Sequence, residues 1–156
     1  ARGHDNRVMP GFNYRMTEIQ AAIANVQLDK LNFIIKNNSE RYMLLKEKIE
    51  SKASIRQELD GHKGSYDTFI FSVEDKETRE KIINCLIELG IGTKILPDAM
   101  EWHCASYWEH MLDMEDVQHS INTQRKLEKN IAIPILLKTS LDEYDHISSS
   151  ILKLIN

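Results

Sequence analysis

The sequence predicts a small α/β domain (an α+β small domain) in which a short three-stranded sheet is covered by helices. Three observations predict it. A long helical pattern comes early in the chain, short apolar runs of strand composition follow, and helices with apolar stripes separate and close them. Because so few strands must bury their apolar face against something else, helices packed on a small sheet are the natural arrangement. The 156 residues are enough for one domain with its own core.

The composition is that of a soluble globular protein, with 42% hydrophobic and 28% charged residues. A formal net charge of −4 and the lack of a basic stripe argue against a nucleic-acid surface. No apolar run is long enough to cross a bilayer. The two cysteines, Cys85 and Cys104, do not suggest a disulfide framework, since Cys85 lies in an apolar helical run and is expected in the core. We therefore expect a cytoplasmic protein.

The first helical region is predicted over residues 17–51. Thr17 followed by Gln20 is a capping-box pattern, so the helix should begin at Thr17. The polar residues 37–39 predict a bend or a break. The apolar positions of the first part have helical spacing and predict a face packed on another element: Ile19, Ala22, Ile23, Val26, Leu31, Ile34 and Ile35.

The remaining elements follow from the same patterns. Three runs have strand composition: residues 67–73, 91–96 and 131–136. Pro134 places the last of these at a sheet edge or a bulge. Three further helices are predicted over residues 74–89, 115–130 and 140–154. Gly90 is a good stop for the first of them, and Ser140 with Glu143 forms a second capping box.

Residues 98–114 are the least regular and most aromatic part of the chain. Trp102, Tyr107 and Trp108 either stack on a ligand or fill a core or subunit contact. His103, Cys104 and His110 are candidate metal ligands, but no fourth ligand lies at a usual spacing, and we predict no metal site.

The junction before the first helix is the clearest candidate for chemistry. It delivers Asn13, Tyr14 and Arg15 just upstream of a helix N-terminus, where unpaired N–H groups and the helix dipole favour an anion. An amide and a guanidinium add donors of the right kind. The alternative is that Asn13 only caps the turn and Arg15 is solvated.

Residues 11–23, followed by Gln27, Leu28 and Leu31, resemble the signature G-Y/F-N-Y-R-M-x-E-x-Q-A-A-I-x-x-x-Q-L-x-x-L of the DegT/DnrJ/StrS sugar aminotransferases. These are pyridoxal-phosphate (PLP) enzymes of the aspartate-aminotransferase-like fold, and weaker local resemblances to their small C-terminal domain run along nearly the whole chain. The resemblance implies that Asn13 reaches across a homodimer to the cofactor phosphate of the neighbouring subunit. It implies for Arg15 a role in holding phosphate or substrate anion, although a structural ion pair is equally compatible.

The resemblance also implies what the chain lacks. The Schiff-base lysine, the aspartate that pairs with the pyridine nitrogen and most of the phosphate-binding residues belong to the family's larger N-terminal domain. Together with the polar opening at Ala1, this leads us to expect a C-terminal part of a longer aminotransferase that is inactive alone. Residues 1–156 then form one domain, with the phosphate-contacting turn in 1–16, the long helical region in 17–51 and the small α/β part in 67–156.

The run from Gly92 to His103 resembles the branch of the family that makes 8-amino-3,8-dideoxy-octulosonate, an eight-carbon sugar acid. This implies a keto-sugar substrate for cell-surface polysaccharide or lipopolysaccharide, with glutamate as the amino donor. Lys94 is a reasonable partner for the sugar carboxylate. His103 falls near the position of the family's histidine at the sugar cleft.

A second hypothesis is a non-enzymatic α+β binding or dimerisation module. The opening without methionine favours the enzyme part. The enzyme hypothesis also predicts an exposed apolar face on the helix of residues 17–35, and hence self-association of the isolated chain.

Overall fold

A computed structural model describes residues 15–92 and 100–155. The chain divides into two compact units, Ala1–Phe33 and Ile34–Asn156. The first helix, α1, spans Glu18–Asp29, and the second, α2, spans Leu31–Ile49.

Helix α1 begins where the sequence predicts. Thr17 is its N-cap, and the Thr17 hydroxyl accepts from the Gln20 N–H at 3.3 Å. The Gln20 side chain in turn accepts from the Thr17 N–H at 2.9 Å, which completes the predicted capping box. The apolar face of α1 is not packed in this structure, because none of its residues is buried.

The predicted break at residues 37–39 was wrong, since the helix is interrupted at Lys30 instead. Polar side chains at 38 and 39 find backbone partners that allow the helix to continue. Asn38 donates to the Ser65 carbonyl at 3.1 Å, and the Ser39 hydroxyl donates to the Lys36 carbonyl at 2.9 Å. The long-range bond of Asn38 therefore outweighs the low helix propensity of this stretch.

The described strands form one antiparallel sheet in the order β1-β2-β3. Strand β1 is Ser54–Ile55, β2 is Thr68–Ser72 and β3 is Asn130–Pro134. The sequence predicts β2 and β3 but not β1, and β3, which carries Pro134, is the outermost of the described strands on its side of the sheet. From residue 93 onward the predicted strand 91–96 lies outside the described residues, and residues 91 and 92 are not in a strand.

The remaining helices are α3 (Lys76–Glu88), α4 (Met100–His103), α5 (Met114–Leu127) and α6 (Leu141–Leu152). Helix α3 ends as predicted: Gly90 has φ +73°, and the Ile91 N–H donates to the Leu86 carbonyl at 3.0 Å. Helix α6 begins at the predicted capping box of Ser140 and Glu143.

One face of the sheet and three helices build the core. Phe69 pairs with Ile133 and Phe71 with Ile131, and all four side chains are buried on the same face. Helices α2, α3 and α6 supply the rest of the core: Tyr42, Leu45, Ile49, Ile82, Leu86, Tyr144, Ile147 and Ile151. The predicted α/β class is confirmed, and Ile87 of α3 lies outside this core, with 60% of its surface exposed. Cys85 is only half-buried, so its expected place in the core was wrong.

Candidate functional site

The predicted anion-binding junction is described only from Arg15 onward. Arg15 is exposed and stands two residues before the N-cap of α1. Asn13 lies outside the described residues, so its predicted contact with a cofactor phosphate stays a prediction. The capping box fixes the start of α1, so the positive end of its dipole lies at Thr17, two residues after Arg15.

The aromatic segment forms a candidate site in the larger unit. It folds as α4, a 3₁₀ helix at Ala105–Tyr107 and a turn. Between them lies an open cavity of about 830 Å³. We call it the aromatic cavity, and its ring-bearing and apolar lining residues are Trp102, His103, Tyr107, Trp108, His110 and Met111.

Two hydrogen bonds hold the rings of the aromatic cavity. The indole N–H of Trp108 donates to the Glu101 carbonyl at 3.3 Å, which ties the turn to α4. Gln124 of α5 donates through Nε2 to the Tyr107 hydroxyl at 2.9 Å. Trp102 is 77% exposed, so it does not fill the core. The structure therefore excludes core packing for Trp102. Ligand stacking and a subunit contact are the interpretations that are left.

The sequence-predicted substrate residues have different outcomes. His103 is exposed and lines the aromatic cavity. Lys94 lies outside the described residues. Of the three residues considered as metal ligands, Cys104 is buried, whereas His103 and His110 are exposed. Within residues 15–92 and 100–155 no group of three His, Cys, Asp or Glu side chains is placed to hold a metal ion.

Neither thiol is an activated nucleophile. Burial raises the pKa of the Cys104 thiol, and the negative charge of Glu128 raises it further. Burial also raises the pKa of Cys85, with Glu88 acting in the same direction. A raised pKa leaves less of the reactive thiolate near neutral pH.

A groove that the sequence did not predict lies along the sheet face opposite the core. Its volume is about 1260 Å³, and Thr68, Ile70 and Ser72 of β2 form part of its floor. Four basic side chains border it: Arg56, Arg125, Lys126 and Lys129. These residues come from separate segments, so no local pattern could have found the groove.

No helix in the described part of the chain is both long and apolar enough to span a membrane.

Comparison with known proteins gives a family and a fold. The profile of the DegT/DnrJ/EryC1/StrS aminotransferase family matches residues 2–152. No curated protein sequence matches the chain significantly.

Several solved structures share the fold. Spr1654 from Streptococcus pneumoniae, assigned as a sugar aminotransferase and solved in its PLP form, is 22% identical with a TM-score of 0.68, over 94% of this chain and 38% of that one. A DegT DnrJ EryC1 StrS aminotransferase from Brucella abortus is 16% identical with a TM-score of 0.68, over 100% and 40%. PseC from Helicobacter pylori, an aminotransferase involved in pseudoaminic acid biosynthesis, is 18% identical with a TM-score of 0.64, over 93% and 39%.

The chain thus spans about two fifths of the length of these structures. At these identities the structural likeness shows the fold, and the family profile, which matches nearly the whole chain, shows the relationship. The chain belongs to the DegT/DnrJ/EryC1/StrS aminotransferase family.

Proposed function

We propose that this chain is the C-terminal domain of a PLP-dependent sugar aminotransferase, which moves an amino group from an amino acid to a keto sugar. The family match over residues 2–152 is the observation that carries the proposal. Spr1654, which shares the fold, is solved in both a PLP form and a PMP form. These are the two cofactor states between which an amino group is carried. PLP supplies the electron sink, and the protein supplies binding and orientation.

The proposal divides the work between two domains. A larger domain supplies the lysine that binds PLP, so this chain alone has no transaminase activity. This chain supplies donors for the cofactor phosphate at the start of α1, with Asn13 as the amide and Arg15 as the adjacent cation. The capping box before α1 supports the part of Arg15, because it fixes the helix N-terminus and its positive dipole end at Thr17, two residues after Arg15.

We propose an eight-carbon keto sugar acid as the amino acceptor and glutamate as the donor. In this assignment Lys94 pairs with the sugar carboxylate and His103 contacts the sugar. The position of His103 at the edge of the aromatic cavity supports its part in the assignment. The product would enter cell-surface polysaccharide or lipopolysaccharide, and the enzyme would work in the cytoplasm.

A homodimer is part of the same proposal, because Asn13 serves the neighbouring subunit. The exposed face of α1 supports it: Ile19, Ile23 and Val26 are 74%, 59% and 55% exposed. A non-enzymatic dimerisation module would have the same exposed apolar face on α1. Binding of PLP distinguishes the aminotransferase from such a module.

The experiment that tests the function runs the reaction backward. The protein that joins this chain to its lysine-bearing domain is mixed with 8-amino-3,8-dideoxy-octulosonate and 2-oxoglutarate, and glutamate formation is measured. We expect glutamate to form. We also expect Lys94→Ala to raise KM about tenfold through loss of a charged pairing, with little change in kcat.

The matched control is Lys36→Ala, which removes an exposed lysine of α2 and should leave KM unchanged. Absence of glutamate with this sugar but formation with another amino sugar would overturn the sugar assignment alone. Absence with every amino sugar tried would overturn the proposed function.

A further inference from the structure

The aromatic cavity contains two exposed indole rings to which the proposed function gives no role. Trp102 is 77% exposed and Trp108 is 39% exposed, and both line the same cavity. Leaving two indole surfaces in water is unfavourable unless something covers them, since burial of aromatic surface is among the largest apolar gains. The Trp108 indole is anchored by its hydrogen bond to the Glu101 carbonyl, so its ring is held in place before any ligand arrives.

The cavity has the size and lining of a small-molecule site. Its volume of about 830 Å³ falls within the range of ligand pockets, roughly 300–1,000 Å³. Apolar rings dominate the lining, and a few polar groups stand among them: the imidazoles of His103 and His110 and the carboxylate-bearing Glu101. An imidazole can donate to or accept from a hydroxyl group, and a carboxylate accepts from one.

The charges of the lining decide between two ring-shaped occupants. A nucleotide would bring phosphates, which need lysine, arginine or helix N-termini. Among the described lining residues there is no lysine or arginine, and Glu101 is acidic. The hydroxylated ring of a sugar acid fits this lining, because its C–H face can cover an indole while its hydroxyls reach the polar groups. Its single carboxylate is the group assigned above to Lys94, which is not among these lining residues.

We infer that Trp102 and Trp108 are the surfaces on which the ring of the sugar substrate stacks, and that they select a sugar over a nucleotide in this cavity. The inference rests on the proposed function for the identity of the occupant. The two tryptophans would contribute to binding of the sugar and not to the transfer of the amino group.

The chain provides its own reporter for this site. Trp102 and Trp108 are its two tryptophans, so all of its tryptophan fluorescence arises from the aromatic cavity. We would titrate the 156-residue chain, without cofactor, with 3-deoxy-D-manno-octulosonate and record both emission and quenching by acrylamide. We expect saturable protection from the quencher.

Variants identify the surface responsible. Trp102→Ala, read through Trp108, should weaken the sugar about five- to tenfold, the loss expected for one stacking contact. Trp102→Phe keeps a ring and should retain most of the affinity. The control is Ile87→Ala, another exposed apolar side chain, on α3, which should bind as the unchanged chain does. Circular dichroism confirms that each variant is folded.

Three outcomes would overturn the inference: no saturable response to the sugar acid, a response that Trp102→Ala leaves unchanged, or a response to uridine diphosphate without one to the sugar. This binding experiment can fail or succeed independently of the proposed function, because it measures sugar binding and involves no amino transfer. Glutamate formation in the reverse assay without a fluorescence response would refute the stacking surface alone. Sugar protection without any amino transfer would refute the enzyme and leave a sugar-binding site.

Discussion

At the scale of single residues, the most informative group is the hydroxyl of Tyr144. It accepts from the Leu136 N–H at 2.8 Å and donates to the Pro134 carbonyl at 3.1 Å, and the side chain is fully buried. It therefore ties α6 to the chain that leaves strand β3. A buried N–H that loses its acceptor costs more than the bond itself contributes.

We expect Tyr144→Phe to lower the free energy of unfolding by about 1–2 kcal/mol at pH 7. Tyr66→Phe is the control, since the Tyr66 hydroxyl contacts Glu58 in an exposed bond of 3.4 Å. Its loss should cost less than about 0.5 kcal/mol. Urea unfolding measures both, and equal effects of the two substitutions would contradict the assignment.

The same tyrosine predicts a pH dependence. Burial raises the pKa of Tyr144 above its ordinary value of 10.0, and the hydrogen bond from Leu136 offsets only part of that rise. A group whose pKa is raised in the folded state contributes its stability below the unfolded pKa and loses it as pH rises through the folded one. The stability gap between the unchanged chain and Tyr144→Phe should therefore shrink above about pH 10. A gap that stays constant or grows would refute this.

Arg41 shows what local sequence patterns cannot reveal at this scale. Its guanidinium is buried and donates to the carbonyls of Thr139 at 2.9 Å, Asn37 at 2.9 Å and Leu137 at 3.2 Å. Two of these partners are nearly a hundred residues away along the chain. Helical periodicity places Arg41 in a helix but carries no information about such a partner.

At the scale of elements, patterns that depend on neighbouring residues were predictable. Both capping boxes, the stop at Gly90 and the strands β2 and β3 follow from local chemistry. Strand β1 was missed because it has only two residues, Ser54–Ile55, and depends on pairing with β2. The interruption of the helix at Lys30 was not predicted, because the sequence there has no strong helix breaker.

Helix α1 carries a prediction of its own at this scale. Its apolar side chains Ile19, Ile23 and Val26 recur at helical spacing and are all more than half exposed. We expect the 156-residue chain to self-associate in a concentration-dependent way, and the pair Ile19→Glu with Ile23→Glu to weaken this at least tenfold. The substitution at Ile19 lies in the first turn of α1, where negative charge favours the helix.

Sedimentation equilibrium measures the association. Ile87→Glu on α3 is the control, because it places one such charge at another exposed apolar position. A chain that stays monomeric at high concentration, or one for which the control acts as strongly as the α1 pair, would count against α1 as an interface.

At the scale of the whole molecule, the candidate site was predictable where its residues are close in sequence. The residues of the aromatic cavity fall between positions 101 and 111, so the sequence alone predicts that they cluster. The structure adds the shape of the cavity and the exposure of its side chains. The groove on the open sheet face draws on segments from Ser54 to Ala132 and only folding brings them together. Family membership was predictable because a long contiguous signature carries it.

The central claim is that this chain completes a PLP site with Asn13 at the cofactor phosphate. The most direct test is the visible absorbance of bound PLP in the protein that joins this chain to its lysine-bearing domain. We predict a clear absorbance band and at least tenfold weaker cofactor retention in Asn13→Ala, the loss expected for a hydrogen bond to a charged group. Asn32→Ala, which alters an exposed asparagine of α2, should retain the cofactor fully. A protein with no PLP absorbance even after the cofactor is added would contradict the account.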